Sequence, residues 1–278
     1  MKKILSLMLA LVICVTSIFA LVGCGEPELN FGKKYRDLSA QMDVLVQLDA
    51  KSVDVGVMDS IMAGYYMTTG GYKDSLMVVE DLTLATEQYG IAARKGSGLA
   101  KMINVALIEN YEAVVALADK YGIASELCID VNADIKPLTD AEKADWEYIQ
   151  SQDKFIVGYT LFAPIAYKDN SGKLIGFDIE LAELVAEYLE LEVEFKEIEW
   201  NAKEALLEGK SIDCIWNGMT ITPEREEAME ISIPYLNNKQ VAVIRKEDAT
   251  KYTTLESMAE AIVAAEAGSA GESCIIKE

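Results

Sequence analysis

The stretch Ile212-Asp213-Cys214-Ile215-Trp216-Asn217-Gly218-Met219-Thr220-Ile221-Thr222-Pro223-Glu224-Arg225 decides the fold class. An apolar run of strand composition ends at Trp216, and a loop containing Gly218 follows. Thr222 and Pro223 then supply an N-cap and a first helical position. Strand, loop and helix in that order make one βα unit, and the unit repeats on both sides. Strands are expected at 155–158, 193–198, 212–216 and 240–245, with helices at 177–189, 202–208 and 223–229 between them. That alternation implies an α/β fold around a mostly parallel sheet. Ligands on such sheets sit beyond the carboxyl ends of the strands. The loops after Met58, Gly158, Ile198 and Trp216 are therefore where binding chemistry is expected.

The residues of the quoted stretch suit an anion. Backbone N–H groups at the helix start after Thr222 are free to donate. Gly218 permits close approach to the backbone, and the Thr220 hydroxyl can donate. Arg225 falls one turn into the helix, where its fork matches a carboxylate. The plainer alternative is an ordinary βα turn with a solvated Arg225 paired to Glu226 or Glu227. Trp216 and Cys214 read as core.

Upstream, apolar spacing predicts a helix over 35–51, a short strand over 53–58 ending at Asp59, and a helix over 60–67. Asp59 reads equally as an acidic site residue or as a cap for that helix. Strands are expected at 76–79 and 89–93, and 98–121 reads as one long helix or two. Residues 129–153 are rich in turn formers, with a short surface helix expected at 141–150; this is read as a linker between two compact parts.

The chain has 278 residues, with 25 Lys plus Arg against 46 Asp plus Glu, a net charge of −21. The excess of acid argues against nucleic acid, which demands surplus cations. The sequence contains 0 His, which removes His-based catalytic triads and His-ligated zinc. Neither a metal nor a cofactor is expected. Lys2 and Lys3 precede an apolar run over 4–22, then Gly23-Cys24-Gly25, which describes a secretory signal. Leu21-Val22-Gly23-Cys24 resembles the lipobox of bacterial lipoproteins, in which the Cys is acylated and the preceding peptide is removed. This implies a palmitate-type anchor on Cys24 at the membrane surface. Cys128, Cys214 and Cys274 form neither a disulfide framework nor a metal cluster by spacing.

Four further motifs carry a family resemblance. Val157-Gly158…Phe162-Ala163-Pro164, Gly172-Lys173…Gly176-Phe177-Asp178-Ile179, 218–225 and Ser232-Ile233-Pro234-Tyr235 together resemble one lobe of the solute-binding proteins of polar amino-acid ABC importers. Residues 34–123 resemble the other portion, through 48–59 and Glu87-Gln88-Tyr89-Gly90-Ile91-Ala92. The resemblance implies a type 2 periplasmic-binding-protein fold, two α/β lobes joined by crossover hinge strands at 89–93 and 240–245. The order is exchanged relative to the family, and Gly268-Ser269-Ala270-Gly271-Glu272, an early motif of the second lobe, stands near the end of the sequence. A circular permutant is expected, with a fragment that pairs with another chain as the competing reading. The implied organisation is a signal at 1–23, an anchor segment at 24–34, lobe II from 35–88 and 247–278, lobe I from 89–123 and 154–246, and a linker at 124–153.

The resemblance also implies residue roles. Arg225, Thr220, the Gly218 amide and the backbone of Ser269 and Ala270 would take a ligand carboxylate. Asp59, with the carbonyl of Asn217, would take an ammonium, and Phe162 and Trp200 would sandwich the ligand. Glu266 lies beside the second-lobe motif and is read either as a side-chain contact or as a solvated acid. Members often carry an acid shortly before the position of Phe162, whereas this chain has Tyr159 and Thr160 and is one residue shorter. Any preference for a basic amino acid is thus left open. The implied partners are a free amino acid, a permease with its ATPase, and the membrane through the anchor, at the outer face of the cytoplasmic membrane or in the periplasm. An enzyme on the same fold, such as a cyclohexadienyl or prephenate-type dehydratase, and a ligand-sensing module are the alternatives.

Overall fold

The computed structural model describes residues 27–277, so the apolar leader and Cys24 lie outside the described residues. The chain opens with β1 (Lys34–Leu38), α1 (Gln41–Asp49), β2 (Val55–Asp59), α2 (Ser60–Thr68) and the long β3 (Leu76–Arg94). Three helices follow: α3 (Leu99–Glu109), α4 (Tyr111–Lys120) and α5 (Asp140–Ser151). Next come β4 (Lys154–Tyr159), the small hairpin β5 (Tyr167–Lys168) and β6 (Leu174–Ile175), α6 (Phe177–Tyr188), β7 (Glu192–Glu197) and α7 (Lys203–Glu208). The chain closes with β8 (Cys214–Thr220), α8 (Pro223–Ala228), β9 (Met229–Ile231), β10 (Leu236–Arg245), β11 (Ile262–Glu266) and α9 (Ala270–Ile275).

The main sheet runs β1-β11-β2-β10-β3-β8-β4-β7, with β9 also on β3. Two parallel triplets, β1-β11-β2 and β8-β4-β7, sit at its two ends. Between them β10 and β3 run antiparallel to each other and to their outer neighbours. The architecture is therefore a two-lobed α/β fold with one parallel triplet per lobe, crossed by two shared strands. Register along β3 and β10 pairs Leu236 with Tyr89 at one end and Arg245 with Leu76 at the other, with irregularities around Gln240 and Val241. A break in the ladder at that place is where two lobes can pivot with little loss of pairing.

Burial follows strand position. Every residue of β2 and of β8 is buried, the mark of central strands covered on both faces. β7, at the sheet edge, alternates and is rich in Glu and Lys, which discourages pairing with another chain. Helix α6 turns Phe177, Ile179, Leu181, Ala182, Val185 and Ala186 inward, an apolar stripe at helical spacing.

Four expectations change. The first turn of the helix expected over 35–51 is strand β1, because 34–38 pairs in parallel register with 262–266 from the far end of the sequence. The separate strands at 76–79 and 89–93 are one continuous β3. Asn217, Gly218 and Thr220, expected in a loop, belong to β8, which pairs Thr220 with Tyr89. Of the two readings of 98–121, the pair of helices holds, broken at Asn110. Within 124–153, α5 is fixed by a capping box of Thr139 and Glu142 and buries Ile149, so much of this segment packs on the lobe.

Candidate functional site

Asp59 ends β2, and Arg225 lies one turn into α8 behind its N-cap Thr222, whose hydroxyl accepts from the Arg225 amide at 3.3 Å. The two belong to opposite lobes and line one narrow cleft. Its walls include Gln41, Asp59, Gln240, Glu266, Ser269 and Ala270 from one lobe. The other lobe contributes Thr160, Phe162, Trp200, Asn217, Gly218, Thr220 and Arg225. The structure thus brings together all ten ligand-site residues expected from the sequence.

Asp59 is 4% exposed and anchors a polar network. Its carboxylate accepts from the Tyr89 hydroxyl at 2.7 Å, from Gln240 Nε2 at 2.8 Å, and from the side chains of Gln41 and Asn238. Although Asp59 precedes α2, its side chain makes no capping bond, which removes the plainer reading. Glu87 on β3 shares two of the donors: Gln240 Nε2 reaches its Oε1 at 2.8 Å and Asn238 bonds it too. Burial first, and the Glu87 carboxylate second, push the Asp59 carboxyl well above the ordinary range. A cation arriving between these acids would relieve both penalties.

Arg225 is held by backbone. Nη1 donates to the Thr220 carbonyl at 2.7 Å, and Nη2 reaches across the cleft to the Gly268 carbonyl at 3.3 Å. The same carbonyl receives Trp200 Nε1 at 3.2 Å and Lys203 Nζ at 3.3 Å. Three donors of one lobe therefore converge on a single acceptor of the other. Neither Arg225 nor Lys203 forms an ion pair among the described residues, so pairing with Glu226 or Glu227 is not how Arg225 is used. Burial is the leading cause lowering the Arg225 pKa. Burial, then Arg225, lowers Lys203 to about 8. Burial raises Glu266, 4% exposed, to about 8. These opposing shifts are what buried charges without a contacting counter-ion show.

Three expected roles are corrected by geometry. The Gly218 amide faces away from the cleft, donating to Asp178 Oδ2 at 3.0 Å and the Tyr235 hydroxyl at 3.3 Å. Gly218 is required by packing: φ is +60°, and a Cβ there would lie 2.7 Å from Phe162 and 3.0 Å from Tyr89. The Thr220 hydroxyl donates to Glu87 Oε2 at 3.0 Å, so its first commitment is to the acid network. The Ser269 amide is turned back onto the Glu266 carbonyl at 3.2 Å, and its hydroxyl caps α9 by accepting from Glu272. The amide of Ala270 is among the first-turn donors that a helix leaves unpaired.

The residues that sequence reading missed are Glu87, Asn238, Gln240, Gln41 and Lys203. Asn238 and Gln240 stand in β10 with alternating burial, so a polar side chain at a buried strand position was the available signal. Trp216 and Cys214 are fully buried, as expected of core. Among the described residues, no group of three or more Cys, Asp or Glu is placed to hold a metal ion.

The family model described as bacterial extracellular solute-binding proteins, family 3, matches residues 155–267. A probable amino-acid ABC transporter-binding protein of Haemophilus influenzae is 42% identical over 87 residues, 31% of this chain and 34% of that protein. The L-cystine-binding protein TcyJ of Escherichia coli is 33% identical over 85 residues, 31% of this chain and 32% of its own length. The crystal structure of a histidine-bound ABC uptake transporter substrate-binding protein from Streptococcus pneumoniae matches with 38% identity, 30% of this chain, 35% of that chain and a TM-score of 0.29. The chain thus spans about a third of the length of these curated relatives. Residues 155–267 thus match the bacterial extracellular solute-binding proteins, family 3, and are similar in sequence to these relatives.

Proposed function

We propose that this protein is an extracytoplasmic receptor that closes on a free amino acid and presents it to an ABC importer, without turning it over. The observation that carries the reading is one cleft walled by Arg225 from one lobe and Asp59 from the other, with no ion pair of either among the described residues. A zwitterion is costly to dehydrate unless each charge meets a fixed partner. Arg225 spends two N–H groups on carbonyls, leaving guanidinium donors for a carboxylate. Asp59 with Asn217 takes the ammonium, and Phe162 and Trp200 cover the stem between them. Because the two charged partners sit on different lobes, full pairing exists only in the closed form, and the ligand selects that form. A permease can then distinguish loaded from empty protein by shape. β3 and β10 are the hinge of this reading.

Cys24 is the proposed anchor point, on the sequence Leu21-Val22-Gly23-Cys24. No helix among the described residues is long and apolar enough to cross a membrane. The permuted order is supported by the way lobe II is assembled. Its triplet β1-β11-β2 interleaves strands from opposite ends of the sequence, and Leu29 bridges Ile276 where the two ends meet.

The test is a thermal-shift screen of the protein against the twenty amino acids, repeated with Arg225→Ala and Asp59→Ala. A ligand at a hundred times its Kd adds about 2.7 kcal/mol to stability, a shift of a few degrees. At least one amino acid is expected to give it, and both substitutions to remove it. A flat response to all twenty ends the reading.

A further inference from the structure

Among the described residues, three buried side-chain atoms of the cleft lining have no hydrogen-bond partner: Asn217 Oδ1, Gln240 Oε1 and Glu266 Oε1. Asn217 Oδ1 and Gln240 Oε1 are acceptors, as is the Glu266 carboxyl when ionised, and the residues are 3%, 2% and 4% exposed. A buried polar atom left unpaired is costly, so the cleft is built for something that brings donors. An amino acid's carboxylate brings none. Its ammonium brings three N–H groups, enough for Asp59, the Asn217 carbonyl and the Gln240 carbonyl. Gln240 is fixed beside Asp59 by its own amide group, which donates to Asp59 and Glu87. Glu266 is left over.

Lys203 does not fill that gap. Its Nζ lies 4.7 Å from the Trp200 ring centre and donates to the Gly268 carbonyl, and it makes no ion pair with Glu266. Gln41 and Ser269 flank Glu266 but spend their side chains elsewhere, Gln41 on Asp59 and Ser269 on the α9 cap; the Gln41 backbone amide favours the Glu266 carboxylate, yet Oε1 keeps no partner.

We infer that Glu266 is a specificity-determining residue and that the ligand is an amino acid whose side chain carries an N–H donor directed at Glu266 Oε1. The inference rests on the receptor reading and adds the ligand class to it. The donor is either a carboxamide or a cationic nitrogen. A side chain of equal size without a donor leaves Glu266 unpaired in a closed site and is rejected.

Isothermal titration of the purified protein with two matched pairs tests this: glutamine against methionine, and lysine against norleucine. The expected result is that at least one donor-bearing member binds about tenfold or more tighter than its partner, and the pair that does so identifies the source of the N–H. Glu266→Leu should collapse that ratio to within about threefold, while Glu266→Gln, which keeps an acceptor, should retain most of it. Thermal unfolding of both variants separates lost discrimination from lost fold. Equal binding within both pairs, or a loss in Glu266→Leu that falls uniformly on all four ligands, overturns the inference and leaves the receptor reading standing. Absence of binding by every amino acid overturns both.

Discussion

Replacing Asp178 by Asn should change how stability depends on pH, in a direction opposite to ordinary surface carboxylates. Asp178 lies in the first turn of α6 and is 1% exposed. Its Oδ2 accepts from the Gly218 amide at 3.0 Å and the Tyr235 hydroxyl at 2.8 Å, while Oδ1 has no partner. Burial outweighs both hydrogen bonds and raises its pKa to about 7. In the unfolded chain the group titrates near 3.9. Between these values the folded protein holds a proton that the unfolded chain has lost. The associated stability is fully present below about pH 4 and disappears as pH rises through about 7. Three pH units correspond to about 4 kcal/mol as an upper bound. Asn keeps the size of the side chain and a carbonyl able to accept both bonds, but does not titrate. Urea unfolding of wild type and Asp178→Asn from pH 4.5 to 8.5 isolates the term, because contributions from Asp59 and Glu266 cancel in the difference. The wild type should lose ground to the variant steadily across that range, by roughly 2–4 kcal/mol in total. Two stability curves that stay parallel would refute the argument, since the buried carboxyl would then titrate alike in both states.

Gly218→Ala should destabilise the protein by about 2–4 kcal/mol, combining a left-handed backbone with a Cβ driven against Phe162 and Tyr89; a change below about 0.5 kcal/mol in denaturant unfolding would show that these rings yield freely. Thr139→Ala removes the α5 N-cap, in which Thr139 Oγ1 accepts from the Glu142 amide and Glu142 accepts from the Thr139 amide. It should cost about 1 kcal/mol, seen as a lower melting temperature, and an unchanged melting temperature would mean that α5 adds nothing to the fold.

The sequence by itself determined the fold class, since period-two and helical apolar patterns are local and survive whatever the chain later packs against. It also placed Asp59 and Arg225, because βα units expose their chemistry at strand ends, while Asn217, Phe162, Trp200 and Glu266 came from the family resemblance. Only the tertiary structure decided which atoms remain available there. Lys34–Leu38 becomes a strand because its partner, 262–266, arrives from the other end of the sequence, and no local pattern records a pairing of that range. The Gly218 amide and the Thr220 hydroxyl looked free in sequence, but they are claimed by Asp178 on α6 and Glu87 on β3. A donor's partner is set by which distant acceptor folding brings within about 3 Å. The same three-dimensional count leaves Glu266 Oε1 without a donor.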